Sequence, residues 1–180
     1  VAYVPQFQGS GSAFEVVEFL MLSRYARLGP LSAPGKDDWN AIQHAMEQTD
    51  TASLRGRRMS TLSGGESQKV SIAAALAQQS PILLLDEPIT FLDPRYQHDV
   101  NALLKRLNRD QGFTIVSVSH DINSAVLSSH RILGLKHGRV AFLGDVKTLM
   151  APGPLTAIFD TEFLFVDHPD AGTPIVVPRH

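Results

Sequence analysis

Ile82-Leu83-Leu84-Leu85-Asp86-Glu87-Pro88 is a run of four branched apolar residues that ends on two consecutive carboxylates and a proline. A short, continuous apolar run closed by a breaker reads as a strand buried on both faces, the kind found in parallel sheets. A second such run, Phe113 to Val118, lies downstream, and between the two Tyr96, Val100, Leu103, Leu104 and Leu107 form one helical stripe. Strand, amphipathic helix and strand make a β-α-β unit, so a parallel sheet with a right-handed crossover is expected. In open α/β sheets ligands bind beyond the carboxyl ends of the strands, and successive side chains point differently, so Asp86 and Glu87 can hold separate tasks there. One suits the hydration shell of a magnesium ion and the other can polarise a water; two solvated carboxylates at a strand-to-loop junction are the alternative reading.

Two further segments carry polar residues at element boundaries. Leu62-Ser63-Gly64-Gly65-Glu66 stands before a helix-compatible run rich in Ala and Leu, Gln68 to Gln78. Adjacent glycines let backbone N–H groups turn toward a ligand, and a helix N-terminus adds about half a positive charge, so an anion can dock there. A Ser63 N-cap with Glu66 supporting the first turn accounts for the same residues without any ligand. The run from Phe113 ends on Ser119-His120-Asp121. Its imidazole can donate to a phosphate oxygen while Asp121 caps the next helix, although a strand-end histidine is also commonly a hydrogen-bonded structural residue.

Outward from these, Val1 to Val4 reads as a strand stopped by Pro5, followed by a Gly/Ser loop from Gln8 to Ser12. Phe14, Val17, Leu20, Met21 and Tyr25, then Trp39, Ile42, Ala45 and Met46, mark two amphipathic helices. Arg131 to Leu135 and Arg139 to Leu143, divided by Lys136-His137-Gly138, look like a hairpin.

The 180 residues, 43% of them apolar, have the composition of one globular domain. A formal charge of −2, with no basic cluster longer than Arg55, Arg57 and Arg58, argues against a nucleic-acid or anionic-membrane partner. The absence of cysteine removes disulfides, thiolate metal sites and a Cys nucleophile. No apolar run approaches the ~20 residues of a membrane span. The chain opens on Val1 with neither an initiator Met nor a secretory pattern, and a fragment is expected.

Taken in order, Val4-Pro5-Gln6, LSGGE, LLLDEP sixteen residues later, Leu92-Asp93 and Ser119-His120-Asp121 resemble the ATP-binding-cassette (ABC) ATPases over nearly the whole chain. The resemblance makes Gln6 the Q-loop glutamine, Ser63, Gly64, Gly65 and Glu66 the signature, Asp86 the Walker B aspartate and Glu87 the catalytic glutamate. Asp93 matches the D-loop and His120 the switch histidine. It implies ATP and Mg2+ as cofactors, with Gln6 and Asp86 at the metal, Glu87 at the attacking water and His120 at the γ-phosphate. It also implies a homodimer in which Ser63-Gly64-Gly65 face the ATP held by the other copy. TFLDP from Thr90 to Pro94, His120-Asp121-Ile122-Asn123, the stretch Met21 to Leu28 and the tail Gly172 to Pro178 look like ATPases of importers for ferric siderophores, haem and cobalamin. Ser23, Ala26-Arg27, Ser67 and Ala75 depart from that group's usual residues. Such a subunit works at the cytoplasmic face of the inner membrane, peripheral through transmembrane permease subunits, with a substrate-binding protein as an indirect partner and no nucleic acid. A DNA-repair or chromosome-maintenance ATPase is the alternative, disfavoured because only 55 residues, without heptads, separate Gln6 from Leu62. A non-catalytic regulatory module is the other.

A P-loop, G-x-x-x-x-G-K-[ST], is not present in the 180 residues. The nearest segment, Gly29 to Asp37, has five spacers, two prolines and an Asp in place of the hydroxyl residue, and reads as a loop between helices with Asp37 or Asp38 near a helix start. The expected fold is therefore an N-terminally truncated α/β P-loop nucleotide-hydrolase core, mostly parallel, with an inserted helical signature subdomain. Its parts are 1–7 (Q-loop strand), 8–80 (helical subdomain), 81–144 (Walker B, D-loop and switch core) and 145–180 (C-terminal extension). By itself such a chain is expected to hydrolyse no ATP, and to dissolve poorly or dimerise through strands left without a neighbour.

Overall fold

The computed structural model describes residues 1–6, 13–28, 32–169 and 172–179. It divides into two compact units, Val1–Val118 and Ser119–His180. The boundary falls inside the 81–144 stretch, between a strand and the residue before His120.

The first unit is built on a sheet of three parallel strands in the order β1 (Ala2–Val4), β2 (Ile82–Asp86), β3 (Thr114–Val118). The expected β-α-β unit is present: β2 and β3 are joined through α4 (Pro94–Gln111). The sequence starts and stops α4 sharply. Asp93 caps its first turn, Pro94 occupies the position where a missing N–H costs nothing, and Gly112 ends it in the left-handed region at φ 72°. Upstream lie α1 (Val16–Leu22), α2 (Lys36–Gln48) and α3 (Gly64–Ala77). The last is Ala-rich and buried almost all round, as a helix at the centre of a bundle must be.

Buried Arg24, just beyond α1, ties three helices together. It pairs with Asp38 in the first turn of α2 at 2.9 Å and donates to the carbonyl of Ala77 at the end of α3 at 2.5 Å. A buried guanidinium is tolerable only with its donors satisfied in this way. Asp38 in turn accepts the N–H of Gly35 at 2.9 Å, and this bond together with Arg24 holds its carboxyl below the usual range. The N–H that a phosphate would need from Gly35 is thus committed to a carboxylate, and Lys36 begins α2. The segment behaves as an interhelical connection, with Gly29, Pro30 and Leu31 lying outside the described residues.

One expectation about the sheet needs correction. Ala2, Val4, Leu83 and Leu85 are essentially fully buried on one face. On the other face Tyr3, Ile82, Val116 and Val118 stay exposed, the two valines at 49% and 51%. β2 and β3 are therefore not covered on both sides by the described residues. Apolar strand sequences report what a face requires, not which segment supplies it. β3 has β2 as its one strand neighbour among the described residues.

The second unit holds α5 (Ile122–Ser128), the expected hairpin as β4 (Arg131–Lys136) and β5 (Arg139–Asp145), α6 (Val146–Leu149), α7 (Pro154–Phe159), β6 (Phe163–Val166) and β7 (Ile175–Pro178). His137 and Gly138 both have positive φ, 49° and 72°, the geometry of a tight two-residue hairpin turn. The two C-terminal strands pair antiparallel with each other. Asn123 on α5 secures β7 with both ends of its amide, donating to the Val176 carbonyl at 3.0 Å and accepting its N–H at 2.7 Å. Among the described residues no helix is long and apolar enough to cross a membrane.

Candidate functional site

The β1–β2 register, with Val4 opposite Leu85, carries Pro5-Gln6 past the end of one strand beside Asp86-Glu87 at the end of the next. Gln6 Nε2 donates to Glu87 Oε2 at 2.8 Å, and the Tyr3 hydroxyl donates to Asp86 Oδ2 at 3.2 Å. Each carboxylate is thereby held by a different side chain of the neighbouring strand segment. Glu87 itself leaves the strand at φ 46°, a conformation non-glycine residues seldom adopt. Its N–H bonds the Val118 carbonyl at 3.0 Å, and its own carbonyl accepts from Thr90 at 3.2 Å, which closes the turn. Such a residue persists only where its surroundings over-determine it, and such positions cluster at functional sites.

Beyond this turn Asp93 accepts the Tyr96 N–H at 3.0 Å as the cap of α4, so its fold role is clear whatever else it touches. The Tyr96 ring also explains one of the two adjacent glycines. A Cβ on Gly65 would lie 2.1 Å from Tyr96 Cδ1, so only glycine fits there. At Gly64 the nearest atom to such a Cβ would be Leu92 Cδ2 at 3.7 Å, an ordinary contact. Packing within the chain demands glycine at 65, whereas at 64 the described residues do not require it. The same contacts bring the turn at 63–66 against the segment from Leu92 to Tyr96.

The turn at the start of α3 is a reciprocal capping box: Ser63 Oγ accepts the Glu66 N–H at 3.3 Å, and Glu66 Oε2 accepts the Ser63 N–H at 2.8 Å. Arg57 reaches Glu66 at 3.1 Å and the Thr61 carbonyl at 2.6 Å. The structural reading of this segment is therefore satisfied, and the anion-binding one is compatible with it, because a capped first turn still presents N–H groups that the helix cannot pair. The Ser63 N–H and, more weakly, Arg57 hold the Glu66 carboxyl below its usual range. A depressed folded-state value means that this stabilisation is complete above the unfolded value and lost as pH falls through the folded one. Unfolding followed across pH 7 to 3 should show an acid-side loss of stability that shrinks in Glu66→Gln, with the capping interaction itself worth ~1 kcal/mol.

Of the residues singled out from sequence, Gln6, Asp86 and Glu87 come together at one strand end, and Ser63 to Glu66 and Asp93 are packed near one another. His120 belongs to the second unit, one residue before Asp121, whose side chain caps α5 by accepting the N–H groups of Asn123 and Ser124 at 2.9 and 3.2 Å. Tyr3, Tyr96 and Arg57 were not identifiable as site neighbours. Only Tyr3 carried a signal, since strand alternation places it on the Leu84–Asp86 face once the register is known.

No group of three or more His, Cys, Asp or Glu side chains among the described residues forms a protein-only metal cage. Magnesium does not require one, because it is commonly held by one or two protein oxygens while phosphates and waters complete the octahedron. Asp86 and the amide oxygen of Gln6 fit that donor set, since the Gln6 nitrogen is already committed to Glu87.

Residues 1–90, half of the chain, match the model of the ABC transporter family. The chain belongs to that family. This ABC chain is 36% identical over 163 residues to the ferric enterobactin transport ATP-binding protein FepC of Escherichia coli, covering 91% of the chain and 60% of FepC. It is 35% identical to the hemin import ATP-binding protein HmuV of Pseudomonas aeruginosa, covering 99% of the chain and 70% of HmuV. The structure superposes on that of a metal-chelate type ABC transporter in an inward-facing conformation with a TM-score of 0.90 at 27% identity, covering 99% of this chain and 72% of the other. The ABC cassette fold expected from the motifs is therefore the fold of this chain, which spans about three fifths of FepC's length.

Proposed function

We propose that this chain is the signature, Walker B and switch portion of an ATP-hydrolysing subunit that drives import of a ferric siderophore, haem or cobalamin through a partner permease. The observation that carries the reading is the strand-end pair Asp86–Glu87 with Gln6 bonded to Glu87 at 2.8 Å. Glu87 is oriented by that bond toward a single task, accepting a hydrogen bond from the water that attacks the γ-phosphate. Asp86 and the Gln6 amide oxygen hold the magnesium that accompanies ATP. When bound, Mg2+ offsets the negative charge developing on the phosphate oxygens. His120 donates a hydrogen bond to the γ-phosphate, and the Ser63 hydroxyl with the first N–H groups of α3 receives the γ-phosphate of ATP bound to a second copy. Gly64 acquires a reason in this arrangement, because a bare backbone allows the closest approach to a phosphate and the fold alone does not call for it. Asp93 lies at the same contact with the second copy. Positioning and charge stabilisation account for the rate, since the protein performs little covalent chemistry.

The names of FepC and HmuV, which specify ferric enterobactin transport and hemin import, support the cargo class. A location on the cytoplasmic face, peripheral through the permease, follows from the proposed role. Uptake of labelled ferric siderophore, haem and cobalamin by cells with and without the gene tests it. Loss of uptake of one of the three, restored by the wild-type gene and not by Glu87→Gln, is expected. Unchanged uptake of all three would reject the cargo assignment.

A further inference from the structure

We propose that Tyr3 is a positioning residue for Asp86: its hydroxyl holds one carboxylate oxygen and so presents the other to the magnesium of bound Mg-ATP. The inference rests on the functional reading of Asp86 given above. In the parallel β1–β2 pair Tyr3 lies opposite Leu84. Side chains alternate along a strand, so Tyr3, Leu84 and Asp86 share one sheet face, while Ala2, Val4, Leu83 and Leu85 fill the core on the other. Asp86 is thus the diagonal neighbour of Tyr3, a separation that a long aromatic side chain spans. The phenol meets Oδ2 at 3.2 Å.

The phenol is the donor in this bond, because an ionised carboxylate can only accept. Gln6 does for Glu87 what Tyr3 does for Asp86, so one short strand and the two residues after it supply an orienting group to each carboxylate. Hydrogen-bond partners of metal ligands fix ligand orientation, and their loss typically costs ten- to a hundred-fold in metal affinity. The Tyr3 ring is half exposed, so removing its hydroxyl leaves the core intact.

Tyr3→Phe in the full-length protein isolates the hydroxyl. Mn2+ is titrated into protein with a non-hydrolysable ATP analogue and followed by electron paramagnetic resonance, alongside the Mg2+ dependence of turnover. The expected result is a roughly tenfold higher half-saturating metal concentration in both measurements. Turnover at saturating Mg2+ and the thermal midpoint of the nucleotide-free protein should match the parent, which a purely structural role would not produce. Metal half-saturation equal to the parent's overturns this inference and leaves the functional reading standing. A parent protein without metal-dependent nucleotide binding overturns that reading, and this inference with it.

Discussion

Glu87→Gln in the full-length protein is expected to lower ATP hydrolysis by roughly two to four decades, the usual contribution of a positioned acid–base group. The substitution keeps the side-chain length and one hydrogen-bonding oxygen but removes the charge proposed to orient the attacking water. The contact with Gln6, 2.8 Å in the parent, can persist because the amide oxygen still accepts. The fold should be undisturbed, since the unusual φ of Glu87 is set by backbone bonds to Val118 and Thr90. ATP binding should survive, because Asp86 and the phosphate-binding groups are untouched. Steady-state hydrolysis and nucleotide titration on the same preparation separate the two quantities; turnover at the parental rate would remove Glu87 from the reaction.

Ser63→Arg should abolish ATP-driven dimerisation and leave nucleotide binding to the single subunit nearly unchanged. The substitution has a measurable local cost of about 1 kcal/mol, because the Ser63 oxygen that accepts the Glu66 N–H is lost. The main effect is steric: a long cationic side chain enters the space proposed for the other copy's γ-phosphate. Sedimentation with and without ATP, combined with nucleotide titration, reads both. Equal loss of nucleotide binding by the monomer would mean that the signature serves its own subunit.

Much of the fold was legible in the sequence, and the failures have physical causes. The β2-α4-β3 unit was readable because apolar runs, a helical stripe and the Asp93-Pro94 start signal agree with one another. The same runs mispredicted burial of Val116 and Val118, since a strand's apolarity does not name its cover. The hairpin turn was readable in His137-Gly138, while the division at Val118/Ser119 was not, because Ser119-His120-Asp121 reads equally as a strand end followed by a helix cap. LSGGE and LLLDEP singled out Ser63, Asp86 and Glu87 as candidates from local order alone. Tyr3 on Asp86 and Tyr96 against Gly65 depend on register and on packing between distant segments, which no window of sequence contains. The left-handed conformation of Glu87 was equally hidden, since neither Glu nor the following Pro88 signals it.

The central claim is that Glu87 of one copy and Ser63 of another act on the same ATP. Turnover by an equimolar mixture of the Ser63→Arg and Glu87→Gln full-length proteins measures this directly. A mixed dimer contains one site with an intact Glu87 from the first variant and an intact Ser63 from the second, and one site with neither. The account predicts that the mixture hydrolyses ATP at least about tenfold faster than either variant alone, because the decades lost with Glu87 are recovered at the intact site. Turnover no greater than the mean of the two separate proteins would contradict it.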